Sequence, residues 1–167
     1  MKALCGIAVC ILMVIEVDIT SSCSPTSNWR PESFVTRLER AEIAFLGKVI
    51  PNPMPTGATL EIQPPYGLYS VKFEVECVYN TSMTISKEIE VSGFGYAGPG
   101  MCTSTWVTEG GSYIVLARPP YNPGGTIQVA MINMQTAAKS ATPDLIASVQ
   151  RKHSCEKPAH INQLGVH

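Results

Sequence analysis

Cys23 carries the most distinctive chemistry in the chain. Thr20 and Ser22 are small residues at the two positions a signal peptidase reads, so a cut before Cys23 leaves a protein that begins Cys23-Ser24-Pro25. A terminal cysteine combines a free α-amino group, a backbone carbonyl beside it and a thiol that a disulfide can hold. With the thiol fixed, the amine nitrogen and carbonyl oxygen form a rigid two-atom ligand for a metal ion on another protein. A free α-amino group titrates near 8, so the unprotonated form needed for metal binding is accessible at small cost near neutral pH.

The leader, residues 1–22, reads as a secretory signal and places the protein outside the cell. Lys2 supplies the positive start, and Ala3 to Ile15 is an apolar run too short to span a bilayer comfortably. Two other readings of this leader stay open. One is an uncleaved anchor. The other is a lipobox, although Thr20 stands where a lipobox carries Leu. Cys5 and Cys10 leave with the leader, and Cys23, Cys77, Cys102 and Cys155 remain. Four cysteines in a secreted chain predict two disulfides, with three pairings open.

A formal net charge of −1 argues against nucleic acid or an acidic membrane as the main partner. There is no CxxC, HExxH or GxSxG. His153, His160 and His167 lie near the C-terminus and read as solvated residues, and Glu74 and Glu76 read as solvated strand charges. The chain is therefore not expected to be an enzyme. Asn80-Thr81-Ser82 is a sequon, so Asn80 is a candidate glycosylation site.

The elements that must position these residues follow from periodicity. Phe34, Val35, Leu38 and Ala41 recur at helical spacing, with Pro31 suited to a first turn, which predicts a short helix over 31–40. Residues 41–50 (AEIAFLGKVI) predict a strand, bent or bulged at Gly47. Five prolines make 51–67 an irregular loop, with room for a short ribbon at 58–62. Val71, Phe73, Val75, Cys77 and Tyr79 alternate with Lys72, Glu74 and Glu76, which predicts a half-buried strand over 68–79 with Cys77 inward. Strands are expected at 87–92, 112–118 and 126–133, with a glycine-rich loop from Gly93 delivering Cys102. Thr142-Pro143-Asp144 starts a second helix, and the tail from Glu156 has no period. Helix, about five antiparallel strands in meander order and helix suit a mainly β fold: a five-stranded OB-like closed barrel with two flanking short helices. An open β-sandwich is the alternative. Trp29 and Trp106, with Tyr66 and Tyr69 around the proline-rich loop, are candidate binding anchors; partial core packing explains them equally well.

From Cys23 to about Cys155 the order of elements resembles the netrin-like module. The features are a terminal Cys with a nearby Pro, a short helix, AEIAFLGKVI, YSVKFEVECVYN, then a cysteine and a glycine-containing turn before SYIVLA. Within that module it is most similar to the N-terminal domain of tissue inhibitors of metalloproteinases. The resemblance implies three parts: a signal peptide at 1–22, a netrin-like OB-fold domain at 23–155 and a flexible tail at 156–167. It pairs Cys23 with Cys102, which leaves Cys77 with Cys155. It also implies a secreted inhibitor of zinc metalloendopeptidases, with no cofactor of its own, whose Cys23 amine and carbonyl bind the zinc of the partner protease.

On that pattern Ser24 enters the pocket beside the zinc, Pro25 stiffens the chain behind it, and the stretch Pro99-Gly100-Met101-Cys102 adds a second contact. The family opens with C-x-C, and Pro25 replaces its second cysteine here. The implied partners are a zinc metalloproteinase and extracellular matrix components. The expected form is a monomer that binds neither nucleic acid nor, once cleaved, membrane. The alternative is a non-inhibitory secreted netrin-like module that binds matrix or another extracellular protein.

Overall fold

Every second residue of the longest strand is apolar, and this alternation sets the inside of a barrel. In the computed structural model, which describes residues 27–51, 67–96 and 103–159, Val71, Phe73, Val75, Cys77 and Tyr79 are all buried. They lie on β2 (Gly67–Thr81). The other strands are β1 (Ile43–Ile50), β3 (Glu88–Tyr96), β4 (Ser112–Arg118), β5 (Ile127–Val129) and β6 (Ala138–Ser140). Helix α1 (Phe34–Arg40) precedes β1, and α2 (Pro143–Gln150) follows β6.

The hydrogen-bonded order is β1-β2-β3-β5-β4, and β4 pairs back to β1, which closes a five-stranded mixed barrel. β6 lies outside it on β4. The protein is thus mainly β, an OB-like closed barrel with two flanking helices. The expected all-antiparallel meander is corrected at one place: β3 and β5 run parallel, and β5 lies between β3 and β4. Periodicity assigns a face to each residue but no partner to a strand, so this crossover leaves no local trace.

Fully buried Phe45, Phe73, Val91, Phe94, Ile114 and Leu116 fill the centre. Burying one such side chain stabilises the fold by roughly 1.5–3 kcal/mol. At Gly47 the β1–β2 register shifts, as the sequence predicts. A Cβ there would press on the Glu74 carbonyl and the Phe45 ring. The first helix is shorter than the expected 31–40. It starts where the Ser33 hydroxyl accepts from the Thr36 amide, 3.1 Å away. The Thr142 hydroxyl likewise accepts from the Leu145 amide, with Pro143 in the first turn of α2.

Two expected strand ends move furthest. β3 runs on to Tyr96, past the glycines expected to begin a loop. The strand expected over 126–133 stops at Val129, because Asn133 and Met134 take left-handed backbone angles (φ 55° and 51°) in a 3-10 turn over Ile132–Met134.

A disulfide joins Cys77 on β2 to Cys155 beyond α2, with Cα atoms 5.3 Å apart. The segment behind it, expected to be a free tail, is fastened in its first part. Glu156 exchanges two backbone hydrogen bonds with Val78, and the Ala159 amide donates to the Ile85 carbonyl. No helix among the described residues is long and apolar enough to cross a membrane.

Candidate functional site

The left-handed turn after β5 is the fastening point for the chain entering from the N-terminal side. Such angles cost non-glycine residues about 1–3 kcal/mol each, and asparagine tolerates them best. Here the turn aims groups at residues 29–32. The Trp29 indole donates to the Asn133 carbonyl (3.3 Å), and the Asn133 side-chain amide donates to the Arg30 carbonyl (2.9 Å). Gln135 accepts from the Glu32 backbone amide (2.9 Å) and returns a bond to the Glu32 carbonyl (3.3 Å). These side chains replace a strand pairing in satisfying the backbone of the entering segment.

Next along the chain, Thr136 accepts from the guanidinium of Arg37 at 2.7 Å. Arg37 is buried to 2% exposure, over the Phe34 ring. Burial lowers its pKa, partly opposed by the nearby Glu32 carboxylate. Its Nε has no partner among the described residues. Glu32 itself makes a bidentate pair with Arg40, both contacts 2.7 Å. On the far side of the same segment, Thr105 is buried. Its hydroxyl accepts from the Ala137 amide at 3.0 Å, and its carbonyl accepts from the Gly95 amide at 2.8 Å. Residues 133–137 therefore hold the entering N-terminal segment on one side and the strand-like stretch at Thr105 on the other.

Beside Thr105 a line of aromatic rings runs from the core to the surface. Phe45 meets Phe73 at 5.4 Å between centroids, Phe73 meets Phe94 at 5.8 Å, and Tyr69 packs at 6.0 Å from both Phe94 and Trp106. Trp106 is 52% exposed and Leu68 is 55% exposed. The Trp106 indole donates to the Ser104 hydroxyl at 2.9 Å. Burial pushes the Tyr69 phenol upward, and a backbone hydrogen bond from Val107 works against the shift. Gly95 makes this corner possible. Its φ is +97°, and a Cβ would collide with the Gly67 carbonyl and press on the Tyr69 ring.

All of the residues singled out for protease contact lie outside the described residues. These are Cys23, Ser24, Pro25, Pro99, Gly100, Met101 and Cys102, and with them the Cys23–Cys102 bridge. The leader, the ribbon at 58–62, Tyr66, His160 and His167 lie outside them too. Trp29 and Trp106 are described and take different roles: Trp29 is part of the fastening, and Trp106 offers an open ring face. Glu74 is part-exposed in a 3.2 Å pair with Lys87, and Glu76 is exposed.

Asn80 is part-buried on β2, and its side-chain amide donates to the Ala41 carbonyl. Among the described residues no three His, Cys, Asp or Glu side chains come together to hold a metal ion. Arg37, Thr105, Asn133 and Gln135 belong to no motif in the sequence. The one available signal is Arg37, a charge between the apolar helix positions Phe34 and Leu38. Neither a protein-family model nor a curated protein sequence matches the chain.

Proposed function

We propose that this protein is a secreted inhibitor of zinc metalloendopeptidases whose terminal Cys23 supplies the amine and carbonyl that bind the protease zinc. The observation that carries this is the double fastening at residues 133–137. Trp29 follows Cys23 by a short tether, and Thr105 follows Cys102 by a shorter one. Trp29 and Thr105 are both anchored on one segment of a closed barrel, which suits a wedge that must be held still. A rigid wedge keeps the ordering cost of binding low. A protease zinc has three protein ligands and one open position for water, and a chelating amine and carbonyl would displace that water.

A second function is favoured by the exposed ring of Trp106, which packs on Tyr69. A netrin-like module that binds an extracellular protein or matrix would use that aromatic corner and would need no free amine.

An inhibition titration against a matrix metalloproteinase catalytic domain separates the two. The inhibitor is secreted protein shown by mass to begin at Cys23, set beside a form with one alanine added in front. Stoichiometric inhibition by the first and none by the second is the expected result. No inhibition by either leaves Cys23 as a disulfide anchor and favours the binding module.

A further inference from the structure

Away from the fastened edge, four polar side chains form one row across four neighbouring strands. Ser70 on β2 pairs with Ser92 on β3, Ser92 with Gln128 on β5, and Gln128 with Arg118 on β4. Neighbouring strands lie about 4.8 Å apart, so the row is about 14 Å long. It lies on the outer face of the barrel, since the residues beside it, Val71, Val91, Ala117 and Val129, are buried inward. All four side chains line one cleft of about 320 Å³, closed at the β2 end by Leu68 and Tyr69 and at the β5 side by Met131. Arg118 and Met131 also line a second cleft of about 330 Å³ that continues to Arg40.

The chemistry of this groove is specific. Its row contains two hydroxyls, a carboxamide and a guanidinium, and no carboxylate. The Arg118 guanidinium donates to the Gln128 side chain at 2.8 Å, which aligns the two planar groups. The Ser92 hydroxyl donates to the Ile127 carbonyl at 3.3 Å and keeps its lone pairs for a ligand. At the β2 end Tyr69 adds an aromatic side chain to the cleft wall. Hydroxyl, carboxamide and guanidinium groups beside the Tyr69 side chain match a chain of hydroxyl-bearing rings with apolar faces. Closed barrels of this type bind elongated ligands on the face of strands 2 and 3. A nucleic-acid strand fits less well: one row cation and a net charge of −1 give little to neutralise phosphates.

We infer that the β2-β3-β5-β4 face is a binding site for an oligosaccharide chain, separate from the edge assigned to the protease and independent of that function. The test is calorimetric titration of the secreted protein with cellohexaose, chitohexaose and a hyaluronan hexasaccharide, and with a thymidylate 12-mer as the nucleic-acid comparison. At least one saccharide should bind saturably with a Kd below about 1 mM. Arg118→Ala and Gln128→Ala should each weaken it by about tenfold, while Lys139→Ala on β6 leaves it unchanged. Arg118 is exposed and Gln128 part-exposed, so both variants should fold, which an unchanged Tm verifies. Three outcomes overturn the site: no saturable binding of any saccharide, binding that the two row variants do not alter, or binding of the thymidylate alone.

Discussion

At the scale of single residues, Arg37 and Tyr69 show how burial and chemistry trade against each other. Arg37 is a buried cation whose guanidinium satisfies the Thr136 carbonyl and whose stem packs in the helix interface. Replacing it with alanine removes the packing and orphans that carbonyl. We expect Arg37→Ala to lose about 2–4 kcal/mol in urea unfolding. Arg37→Met keeps the length without the desolvation penalty and should lose less than half as much. Equal losses would locate the whole effect in the hydrogen bond. Tyr69 titrates higher in the fold than in the unfolded chain, mainly through burial. A group raised in this way stabilises fully below its unfolded pKa, and the contribution fades as pH rises through the folded value. In a phenolate absorbance titration, Tyr69→Phe should therefore remove a component that ionises later than the exposed tyrosines. If the component removed ionises with the exposed tyrosines, Tyr69 is solvated.

At the scale of elements, the pattern in the sequence and the pairing in the fold carry different information. The alternation at Val71–Tyr79, the Gly47 bulge, the Thr142 cap and the inward Cys77 were legible because each depends on neighbours in sequence. The parallel β3–β5 pair and the polar row from Ser70 to Arg118 were not, since register between distant strands creates them. The end of β5 was missed because two left-handed residues interrupt an apolar pattern that would otherwise continue. Of the candidate site, Trp29 and Trp106 were visible as aromatic residues, but the segment that fastens Trp29 and Thr105, 133–137, carries no motif.

Two predictions belong here. Gly95→Ala puts a Cβ against the Gly67 carbonyl at φ +97°, so it should cost about 1–3 kcal/mol in thermal unfolding. A neutral result would mean that β3 can shift at its end. The Glu39–Lys152 pair, 2.9 Å apart, links α1 to the turn after α2 and depresses the Glu39 pKa, first by hydrogen bond and then by charge. Its contribution is present above the ordinary carboxylate pKa and is lost as pH falls through the lowered one. By NMR titration, Lys152→Ala should move the Glu39 midpoint upward; an unmoved midpoint would mean that the pair does not persist in solution.

For the whole molecule, the Cys77–Cys155 disulfide closes a loop spanning 78 residues and anchors the segment that bonds Val78. Cys155→Ser should lower stability by about 4 kcal/mol. It should also open the Val78 amide to hydrogen exchange before the barrel centre. Retained protection would show that Glu156–Ala159 stays in place without the bridge. Barrel closure has its own consequence during synthesis. β1 is made early, and six of its eight residues, Ile43 to Gly47 and Val49, are buried. One of its edges takes β2 soon afterwards, but the other waits for β4, some seventy positions further along the chain. Until Ser112–Arg118 leaves the ribosome, that apolar edge stands open to any passing strand. The nascent chain thus needs shelter for a definite stretch of its translation, and a pause after β3 should raise aggregation more than one after β4.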